Sequence, residues 1–253
     1  MEPDERAAPQ WADCYRALVA RKTDDIPALR TVLAAAPPGE VLELGAGFGR
    51  LALAAARDGR QVVAVEPSRM MLDHRDAFFE GVPADIRRRV DWRVADARQS
   101  DDRERDAGRY AAVVCGYNGL NEIVDGLPEV IDGAARALAP GGLLHLDWCA
   151  DPYERSGLVE FYDYLEFSGQ RWAVFTIVQE LPGGRHDLTL MYERVDGVTA
   201  RERLYQVVPR RTWPREDVLR LAAAAGLEHH QALSGGNVMV FVNKGGSRSR
   251  ADR

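Results

Sequence analysis

Residues 43–50 read Glu-Leu-Gly-Ala-Gly-Phe-Gly-Arg, and this glycine-rich stretch indicates the fold class. It follows a short apolar run, residues 41–44, that is typical of a buried strand. It precedes an Ala- and Leu-rich run, residues 51–57, that is typical of a helix. Glycines between a strand and a helix allow a tight turn and let a ligand approach the backbone closely. The stretch therefore predicts a strand–loop–helix unit that binds a ligand.

Strand-like and helix-like segments alternate on both sides of this loop. The predicted strands of the main sheet are residues 41–44, 61–65, 90–94, 110–115, 143–148, 227–233 and 237–242. The predicted helices are 51–57, 67–79, 121–138 and 214–225, after one or two N-terminal helices over 11–36. Because such alternation produces parallel βαβ units, the fold class is α/β. We expect a Rossmann-like, doubly wound, seven-stranded sheet with N-terminal helices.

The pattern of residue types changes after residue 150. Residues 151–170 are rich in Tyr and Phe, and we expect them to include a helix over the sheet's edge. Residues 172–180, 187–194 and 201–208 alternate polar and apolar side chains and are separated by glycine-containing turns. They predict a small antiparallel insertion before the last helix. The expected organisation is an N-terminal helical cap (1–37), a main domain (38–244, with the insertion at about 151–210) and a disordered tail (245–253).

The composition of the chain argues against several classes of function. The chain has 253 residues, a formal net charge of -6 and 46% hydrophobic residues, which is ordinary for a globular protein. The acidic balance argues against nucleic acid as a partner, and we interpret the run Arg87–Arg89 as a solvated face. No stretch is long and apolar enough for a membrane span, and residues 1–10 lack the apolar segment of a signal peptide. The three cysteines match no zinc pattern, so we expect free thiols and a cytoplasmic protein.

Three acidic residues near predicted strand ends point to the ligand. Glu66 ends the second strand, where an acid can accept both hydroxyls of a ribose. Asp96 follows the third strand, where a carboxylate can accept the amino group of an adenine. Glu43 precedes the glycine loop, where it would repel a pyrophosphate but suits a cationic sulfonium ligand or its ammonium group. The alternative for each is an ordinary salt-bridge or solvated acid.

The glycine spacing also departs from the dinucleotide-binding pattern. The loop has Gly-x-Gly-x-Gly and then Arg50 and Leu51, without the later glycine of that pattern. Five stretches, residues 41–51, 62–72, 94–97, 111–120 and 138–147, together resemble the class I S-adenosylmethionine-dependent methyltransferases. The later part resembles a small-molecule subgroup of them that includes glycine N-methyltransferase-like and natural-product sugar-amine enzymes.

The resemblance implies S-adenosylmethionine as cofactor and a set of contacts to it. The implied cofactor residues are Tyr15, Glu43, Gly45, Ala46, Gly47, Glu66, Pro67, Met71, Asp96, Ala97, Cys115 and Gly116. Within this set, Glu43 and the glycines would line the methionine part, Glu66 would hold the ribose, and Asp96 would meet the adenine. Ser68 would flank the adenosine. Tyr15 or Trp11 would close over the cofactor, although their i, i+4 spacing also fits core anchors.

The acceptor is expected beside the ends of the fourth and fifth strands, where doubly wound sheets bind ligands. The predicted catalytic residues are Asp147, Tyr117 and Asn118, with Asn121, Trp148 and Tyr153 as further candidates. Gly116-Tyr117-Asn118-Gly119 does not match the Asn-Pro-Pro-Tyr type of motif that base or glutamine methylators use. We interpret His145 as a core residue and His186 as solvated. No set of residues has metal-ligand spacing, so no metal is expected.

The aromatic residues of the insertion are a second source of acceptor contacts. They are Tyr153, Phe161, Tyr162, Tyr164, Phe167, Trp172 and Phe175. One or two of them would touch an apolar acceptor, and the others would pack in the core.

The sequence thus predicts methyl transfer to a nitrogen or oxygen of a small molecule in secondary metabolism, by a monomer or homodimer. The alternatives left open are a C-methyltransferase, a non-methylating enzyme that uses the same cofactor pocket, and a non-catalytic binding protein. A nicotinamide-dependent oxidoreductase is disfavoured by the loop spacing and by Glu43.

Overall fold

Helices and strands alternate through the chain, as a computed structural model shows for residues 8–99, 105–149, 157–233 and 237–245. The strands are β1 (Glu40–Leu44), β2 (Val62–Val65), β3 (Val90–Arg93), β4 (Tyr110–Cys115), β5 (Leu138–Asp147), β6 (Val159–Phe167), β7 (Gln170–Leu181), β8 (Arg185–Asp196), β9 (Thr199–Arg211), β10 (Leu227–Leu233) and β11 (Val238–Asn243). The helices are α1 (Ala8–Ala20), α2 (Ile26–Ala35), α3 (Arg50–Arg57), α4 (Arg69–Phe78), α5 (Ala84–Arg87), α6 (Gly119–Glu122), α7 (Leu127–Ala137) and α8 (Arg215–Ala224). A 3-10 turn covers Ala97–Gln99.

The main sheet has seven strands in the order β10-β11-β5-β4-β1-β2-β3. The pairs from β3 to β5 are parallel, whereas β11 pairs antiparallel with both β5 and β10. The predicted Rossmann-like sheet is therefore confirmed. The strand order reverses between β1 and β4, and ligands of such sheets bind at the carboxyl ends of the strands beside that reversal.

Helices cover both faces of the main sheet and bury its apolar strands. On one face, Val130 and Ile131 of α7 and Val218 of α8 belong to the same buried cluster as Leu42. On the other face, Leu29 of α2 belongs to a second cluster that includes α3. Burial on both sides explains why β2 and β4 read as continuous apolar runs rather than as alternating patterns. None of the described helices combines the length and apolarity needed to span a bilayer.

The strands β6 to β9 form a separate antiparallel sheet between β5 and α8. Its inner face packs on α1, where Cys14 and Leu18 lie against Trp172, Val174 and Tyr192. The predicted antiparallel insertion before the last helix is confirmed, and it has one strand more than expected.

The prediction of a helix within residues 151–170 is wrong for residues 157–170, the part of this segment that the structure describes. Residues 159–167 form β6, which pairs along its length with β7. The aromatic and apolar side chains of this segment suit a pleated surface, and pairing with β7 satisfies its backbone groups. The candidate Tyr153 and the tail from residue 246 lie outside the described residues, and the proposed domain boundaries stay predictions.

The prediction of a single helix over residues 121–138 is also wrong. The segment forms two helices, α6 and α7, with Gly126 between them at a φ of 83°. Because Pro128 lacks a backbone N–H donor, it suits the first turn of α7 and disfavours continuation of a helix from α6. The break carries Glu122 to Asp125 to the carboxyl edge of the main sheet.

Candidate active site

A cavity of about 480 Å³ opens at the carboxyl ends of β1, β2, β3 and β4. This volume lies in the usual range for a site that binds a small molecule. All twelve residues that the resemblance implies for the cofactor line it. Its lining also includes Val19, Leu44, Phe48, Arg50, Leu51, Arg98, Tyr117, Gly119, Glu122, Ile123, Val124 and Asp125.

Two glycines leave open space above the loop that follows β1. Gly45 and Gly47 have φ angles of 70° and 56°, a left-handed conformation that favours glycine. A Cβ atom at either position would meet nothing within 4 Å, so the neighbouring volume is open to a ligand. Gly49 differs, because a Cβ there would lie 2.6 Å from the ring of Trp92. The first two glycines therefore shape the cavity wall, and the third permits close packing.

The Glu66 carboxylate joins the glycine loop to the start of α4. It accepts the backbone N–H of Gly47 at 2.7 Å and the backbone N–H of Ser68 at 2.8 Å. Burial raises the pKa of Glu66, and these two N–H donors oppose the rise. Ser68 itself is the N-cap of α4 and accepts the N–H of Met71 at 3.3 Å. Glu66 is thus held in one orientation at the cavity wall.

Glu43 is buried at the end of β1 with an unsatisfied oxygen. Its side chain is 4% exposed, and Oε2 has no hydrogen-bond partner among the described residues. Burial raises the pKa of Glu43 to about 8, against the opposing effects of Arg50 and the N–H of Ala52. A buried carboxylate with a free oxygen is costly unless a donor or a cation joins it. The Glu43 carboxylate therefore fits a ligand with an ammonium or sulfonium group.

Asp96 lines the cavity and is paired with Arg98. Its Oδ1 accepts both the backbone N–H and Nε of Arg98 at 2.8 Å, and Oδ2 accepts Nη2 at 2.7 Å. The Arg98 hydrogen bond lowers the pKa of Asp96, so this carboxylate is ionised at neutral pH. Its lone pairs that face the cavity can accept further donors.

The predicted catalytic residues divide into one that faces the cavity and two that do not. Tyr117 lines the cavity, whereas Asn118 and Asp147 do not. Both Tyr117 and Asn118 have left-handed backbones, with φ angles of 55° and 56°. Asp147 accepts the N–H of Tyr117 at 2.9 Å and is 8% exposed. Burial raises the pKa of Asp147 to about 6. The carboxylate thus acts on the backbone that places Tyr117.

A buried ion pair that the sequence did not indicate lies beside Tyr117. The Arg50 guanidinium binds both carboxylate oxygens of Asp25 at 2.5 Å, and the two side chains are about nine-tenths buried. Arg50 also lies 5.1 Å from the centre of the Tyr117 ring. It therefore links the turn between α1 and α2 to the cavity wall. Spacing gave no signal for this pair, since Asp25 lies in a turn far along the chain from the glycine loop.

The aromatic candidates of α1 have different positions. Tyr15 lines the cavity, and its ring centre lies 5.9 Å from that of Phe48 in the glycine loop. Burial raises the pKa of Tyr15 well above its usual range. Trp11 packs edge-on against Tyr15 at 6.5 Å and does not line the cavity.

The other acceptor candidates are engaged elsewhere. Asn121 donates to the carbonyls of Cys149 and Arg211, and the Nε1 group of Trp148 donates to the carbonyl of Trp213. None of the six described aromatic residues proposed in the insertion lines the cavity. Phe161, Tyr162 and Tyr164 are exposed, and Trp172 is buried against α1.

The two histidines of interest are both buried. His145 is 1% exposed, which confirms its interpretation as a core residue. The prediction that His186 is solvated is wrong, because it is 5% exposed. His186 shares the buried face of β8 with Leu188 and Leu190, because every second residue of a strand points to the same side, and this explains its burial. Within the described ranges, no group of three histidine, cysteine or acidic residues could hold a metal ion.

Comparisons with known proteins give one family match and several structures of similar fold. Residues 41–142 match a protein family described as a methyltransferase domain. The fold is shared with the S-adenosylmethionine-bound amino pentose methyltransferase CalS10 from Micromonospora echinaspora, at 21% identity over 92% of this chain and 96% of that chain (TM-score 0.71). The sugar N-methyltransferase KedS8 from Streptoalloteichus is 20% identical over 87% and 85% of the two chains (TM-score 0.67).

A third similar structure is the CcbJ methyltransferase from Streptomyces caelestis. It is 22% identical over 87% of this chain and 89% of that chain, with a TM-score of 0.69. No curated protein matches the sequence significantly. At these identities the structural likeness establishes the fold, and the family match covers residues 41–142 of the 253-residue chain.

Proposed function

We propose that the chain is an S-adenosylmethionine-dependent methyltransferase that methylates an amino nitrogen of a small molecule, and its methyltransferase-domain match and its fold support this. The observation that carries the choice of nitrogen is the charge of the cavity. Five acidic residues line it, Glu43, Glu66, Asp96, Glu122 and Asp125, against the two arginines Arg50 and Arg98. Even while Glu43 is protonated, the other four acids outnumber the two arginines, so the site attracts cations, and a small-molecule amine is a cation at neutral pH.

The cofactor-binding half of the cavity would work through three carboxylates. Glu43 would take the ammonium group of the cofactor on its free oxygen, next to the open backbone at Gly45 and Gly47. Glu66 would accept ribose hydroxyls from a carboxylate already oriented by two N–H donors, and Asp96 would accept the adenine amino group. S-adenosylmethionine supplies an electrophilic methyl group on a sulfonium.

The acceptor half would lie beside Tyr15, Tyr117 and Glu122. Burial raises the pKa of both tyrosines, so both stay protonated at neutral pH and serve as hydrogen-bond donors and as walls. Glu122 faces the cavity and lies 3.1 Å from Arg210. An acceptor ammonium would give one proton to this carboxylate. The neutral nitrogen, held between these side chains, would then be positioned for the methyl group that the cofactor supplies.

An alcohol acceptor is less well served by this site. An alcohol must lose its proton during the attack, which calls for a base of higher pKa than an ordinary carboxylate. Among the described residues no histidine lines the cavity. Two proteins of the same fold are an amino pentose methyltransferase and a sugar N-methyltransferase, which also supports nitrogen.

The test is transfer of a labelled methyl group to matched acceptors. The purified chain would be incubated with labelled S-adenosylmethionine and with pairs of amino sugars and their hydroxyl counterparts. We expect label in the amino compounds alone, with the methyl on nitrogen by mass spectrometry. Methylation of the hydroxyl compounds instead would contradict the choice of nitrogen. Stabilisation by a nicotinamide dinucleotide but not by S-adenosylhomocysteine would contradict the enzyme class.

A charge-neutral variant tests the acceptor half separately. Glu122→Gln should lower kcat about tenfold or more and leave the Kd of S-adenosylhomocysteine unchanged, because it removes the proton acceptor and keeps the shape. Glu80→Gln is the matched control, since Glu80 is exposed at the end of α4. Equal activity of the two variants would remove Glu122 from the proposal.

A further inference from the structure

The Arg50 guanidinium acts on two buried acids and is bonded to one of them. It donates to both carboxylate oxygens of Asp25 at 2.5 Å. Burial raises the pKa of Glu43, and the positive charge of Arg50 is the largest effect that opposes this rise. Nevertheless, Oε2 of Glu43 has no hydrogen-bond partner among the described residues. Two buried carboxylates therefore compete for one cation, and Asp25 binds it.

The geometry of the pair explains why Asp25 binds the guanidinium. Two parallel N–H donors of an arginine match the two oxygens of a carboxylate, which is the strongest arrangement of such a pair. The Arg50 Nη1 group also donates to the carbonyl of Lys22 at 3.0 Å. Because Asp25 and Lys22 both belong to the segment between α1 and α2, that segment fixes the guanidinium at the cavity wall.

The Asp25 carboxylate is not used to cap a helix. Asp25 is the N-cap residue of α2, a position where an aspartate commonly accepts an N–H group of the first helical turn. Its side chain makes no such bond. Pro27 lies in the first turn, where its fixed φ suits the start of a helix. The start of α2 therefore does not depend on this carboxylate, which binds Arg50 instead.

Loss of the Asp25 charge would leave a buried guanidinium in need of another anion. Among the charged groups of the described residues that act on Glu43, Arg50 is the only cation. A guanidinium released from Asp25 would therefore pair with Glu43 and cover its free oxygen. A ligand's ammonium group would then have to displace Arg50 before it could bind there.

We propose that Asp25 is a positioning residue that holds Arg50 away from Glu43 and so keeps the Glu43 carboxylate open to a ligand's cationic group. This inference rests on the proposed role of Glu43 towards the ammonium group of the cofactor. The other titratable groups that act on Glu43 are Glu66 and the thiol of Cys115, and neither can supply a positive charge.

Cofactor affinity in a charge-neutral variant tests this role. At pH 8.5, above the pKa of about 8, Glu43 of the wild type is largely ionised and open. In titration calorimetry at this pH, Asp25→Asn should raise the Kd of S-adenosylhomocysteine about tenfold or more, because the ligand must displace Arg50. Asp24→Asn is the matched control, since Asp24 is an exposed acid in the same segment. It should keep the wild-type Kd.

A double variant separates this role from a purely structural one. Asp25→Asn combined with Arg50→Gln should return the Kd to within about threefold of the wild type, because both charges leave together and Glu43 is open again. A structural role of Asp25 would give no such rescue. Binding is measured rather than turnover because Arg50 also lies beside the ring of Tyr117.

The proton released on binding provides a second readout. At pH 7 the wild type should release about one proton as Glu43 ionises, whereas Asp25→Asn should release almost none, because Arg50 already holds Glu43 in its ionised form. Wild-type affinity together with wild-type proton release in Asp25→Asn would overturn the proposal. A loss of affinity that the double variant does not rescue would overturn it as well.

Glu43→Gln distinguishes a failure of this inference from a failure of the proposed function. If Glu43→Gln bound S-adenosylhomocysteine like the wild type at pH 8.5, the role of Glu43 at the cofactor would be wrong, and the role of Asp25 with it. If Glu43→Gln bound weakly while Asp25→Asn kept the wild-type Kd, the role of Asp25 alone would be wrong.

Discussion

Two buried carboxylates in different parts of the main domain have opposite surroundings. In the segment that leads into β4, Asp106 is 0% exposed, and its oxygens bind Arg93 at 2.6 Å and the hydroxyl of Tyr110 at 2.8 Å. At the end of β1, Glu43 is 4% exposed, and one of its oxygens has no partner among the described residues. The protein completes the first cluster itself and leaves the second incomplete.

This difference distinguishes a buried acid that stabilises the fold from one that is expected to bind a ligand. A buried acid that is fully paired contributes to a stable fold, and removing it leaves its partners unsatisfied. A buried acid that lacks a partner lowers stability and is expected where a ligand supplies the missing charge. We therefore expect a cation to bind at Glu43, the group that the rest of the fold does not satisfy.

The largest expected effect is at the paired acid. Asp106→Ala should lower the free energy of unfolding by about 3–5 kcal/mol, because Arg93 would stay buried without its partner. Urea unfolding followed by circular dichroism measures the loss. Asp91→Ala, an exposed acid on β3, is the control and should lose less than about 0.5 kcal/mol. The Kd of S-adenosylhomocysteine at a temperature where both variants are folded should not change. If Asp106→Ala lost cofactor affinity but kept its free energy of unfolding, the distinction between the two buried acids would be wrong.

The second effect is at Glu66, where binding rather than stability should suffer. Glu66→Ala should raise the Kd of S-adenosylhomocysteine about 100-fold, since the ribose would lose an oriented acceptor of two hydroxyls. Glu66→Gln should fall between that variant and the wild type, because an amide keeps one acceptor oxygen. Titration calorimetry with Glu80→Ala as control measures both. Wild-type affinity in Glu66→Ala would exclude this carboxylate from the cofactor site.

The third effect is a pH dependence that belongs to Glu43. Its pKa of about 8 lies above its value in an unfolded chain, so folding stability decreases as pH rises from about 4.5 towards 8. Binding of a cation needs the ionised form, and a proton should therefore leave the protein on binding below pH 8. The affinity for S-adenosylmethionine should rise by up to about tenfold per pH unit between pH 6 and 8.

Calorimetry in buffers of different ionisation enthalpy counts that proton. In Glu43→Gln the protein's contribution should vanish and the affinity should be lower at pH 8, whereas any proton from the cofactor itself would remain. An identical proton count in both proteins would show that Glu43 does not meet the cation.

The parts of the site that the sequence predicted share one property. Glu43, Glu66 and Asp96 each follow a strand in the chain, and parallel strands bring their carboxyl ends to the same edge. Their convergence on one cavity follows from the order of the elements alone. The open backbone at Gly45 and Gly47 is local and could also be anticipated.

The parts that the sequence did not predict depend on contacts between distant segments or on unusual backbones. The Asp25–Arg50 pair forms only because the α1–α2 turn lies over the glycine loop. The bond from Asp147 to the backbone of Tyr117 depends on left-handed conformations that residues other than glycine rarely adopt. The burial of His186 follows from which face of β8 meets α1, and alternation alone does not say which face is inside.

The smallest expected effect on activity is at His145, a buried titratable group outside the cavity. It lies on β5, two residues before Asp147, and neither ring nitrogen has a hydrogen-bond partner among the described residues. Burial lowers the pKa of His145 to about 4. As pH falls from 6.5 towards 4, the unfolded chain binds a proton that the folded chain does not, and stability decreases by up to about 1.4 kcal/mol per pH unit.

His145→Leu should remove that part of the acid sensitivity, because an apolar side chain of similar size needs no proton. At pH 7.5 the variant should keep methyl-transfer activity within about twofold of the wild type, since a group outside the cavity cannot exchange a proton with the acceptor. His230→Leu, at an exposed position on β10, is the control for the substitution itself. If His145→Leu instead lost activity about 100-fold while its unfolding curve in acid stayed unchanged, His145 would belong with Glu43 among the residues kept unsatisfied for function.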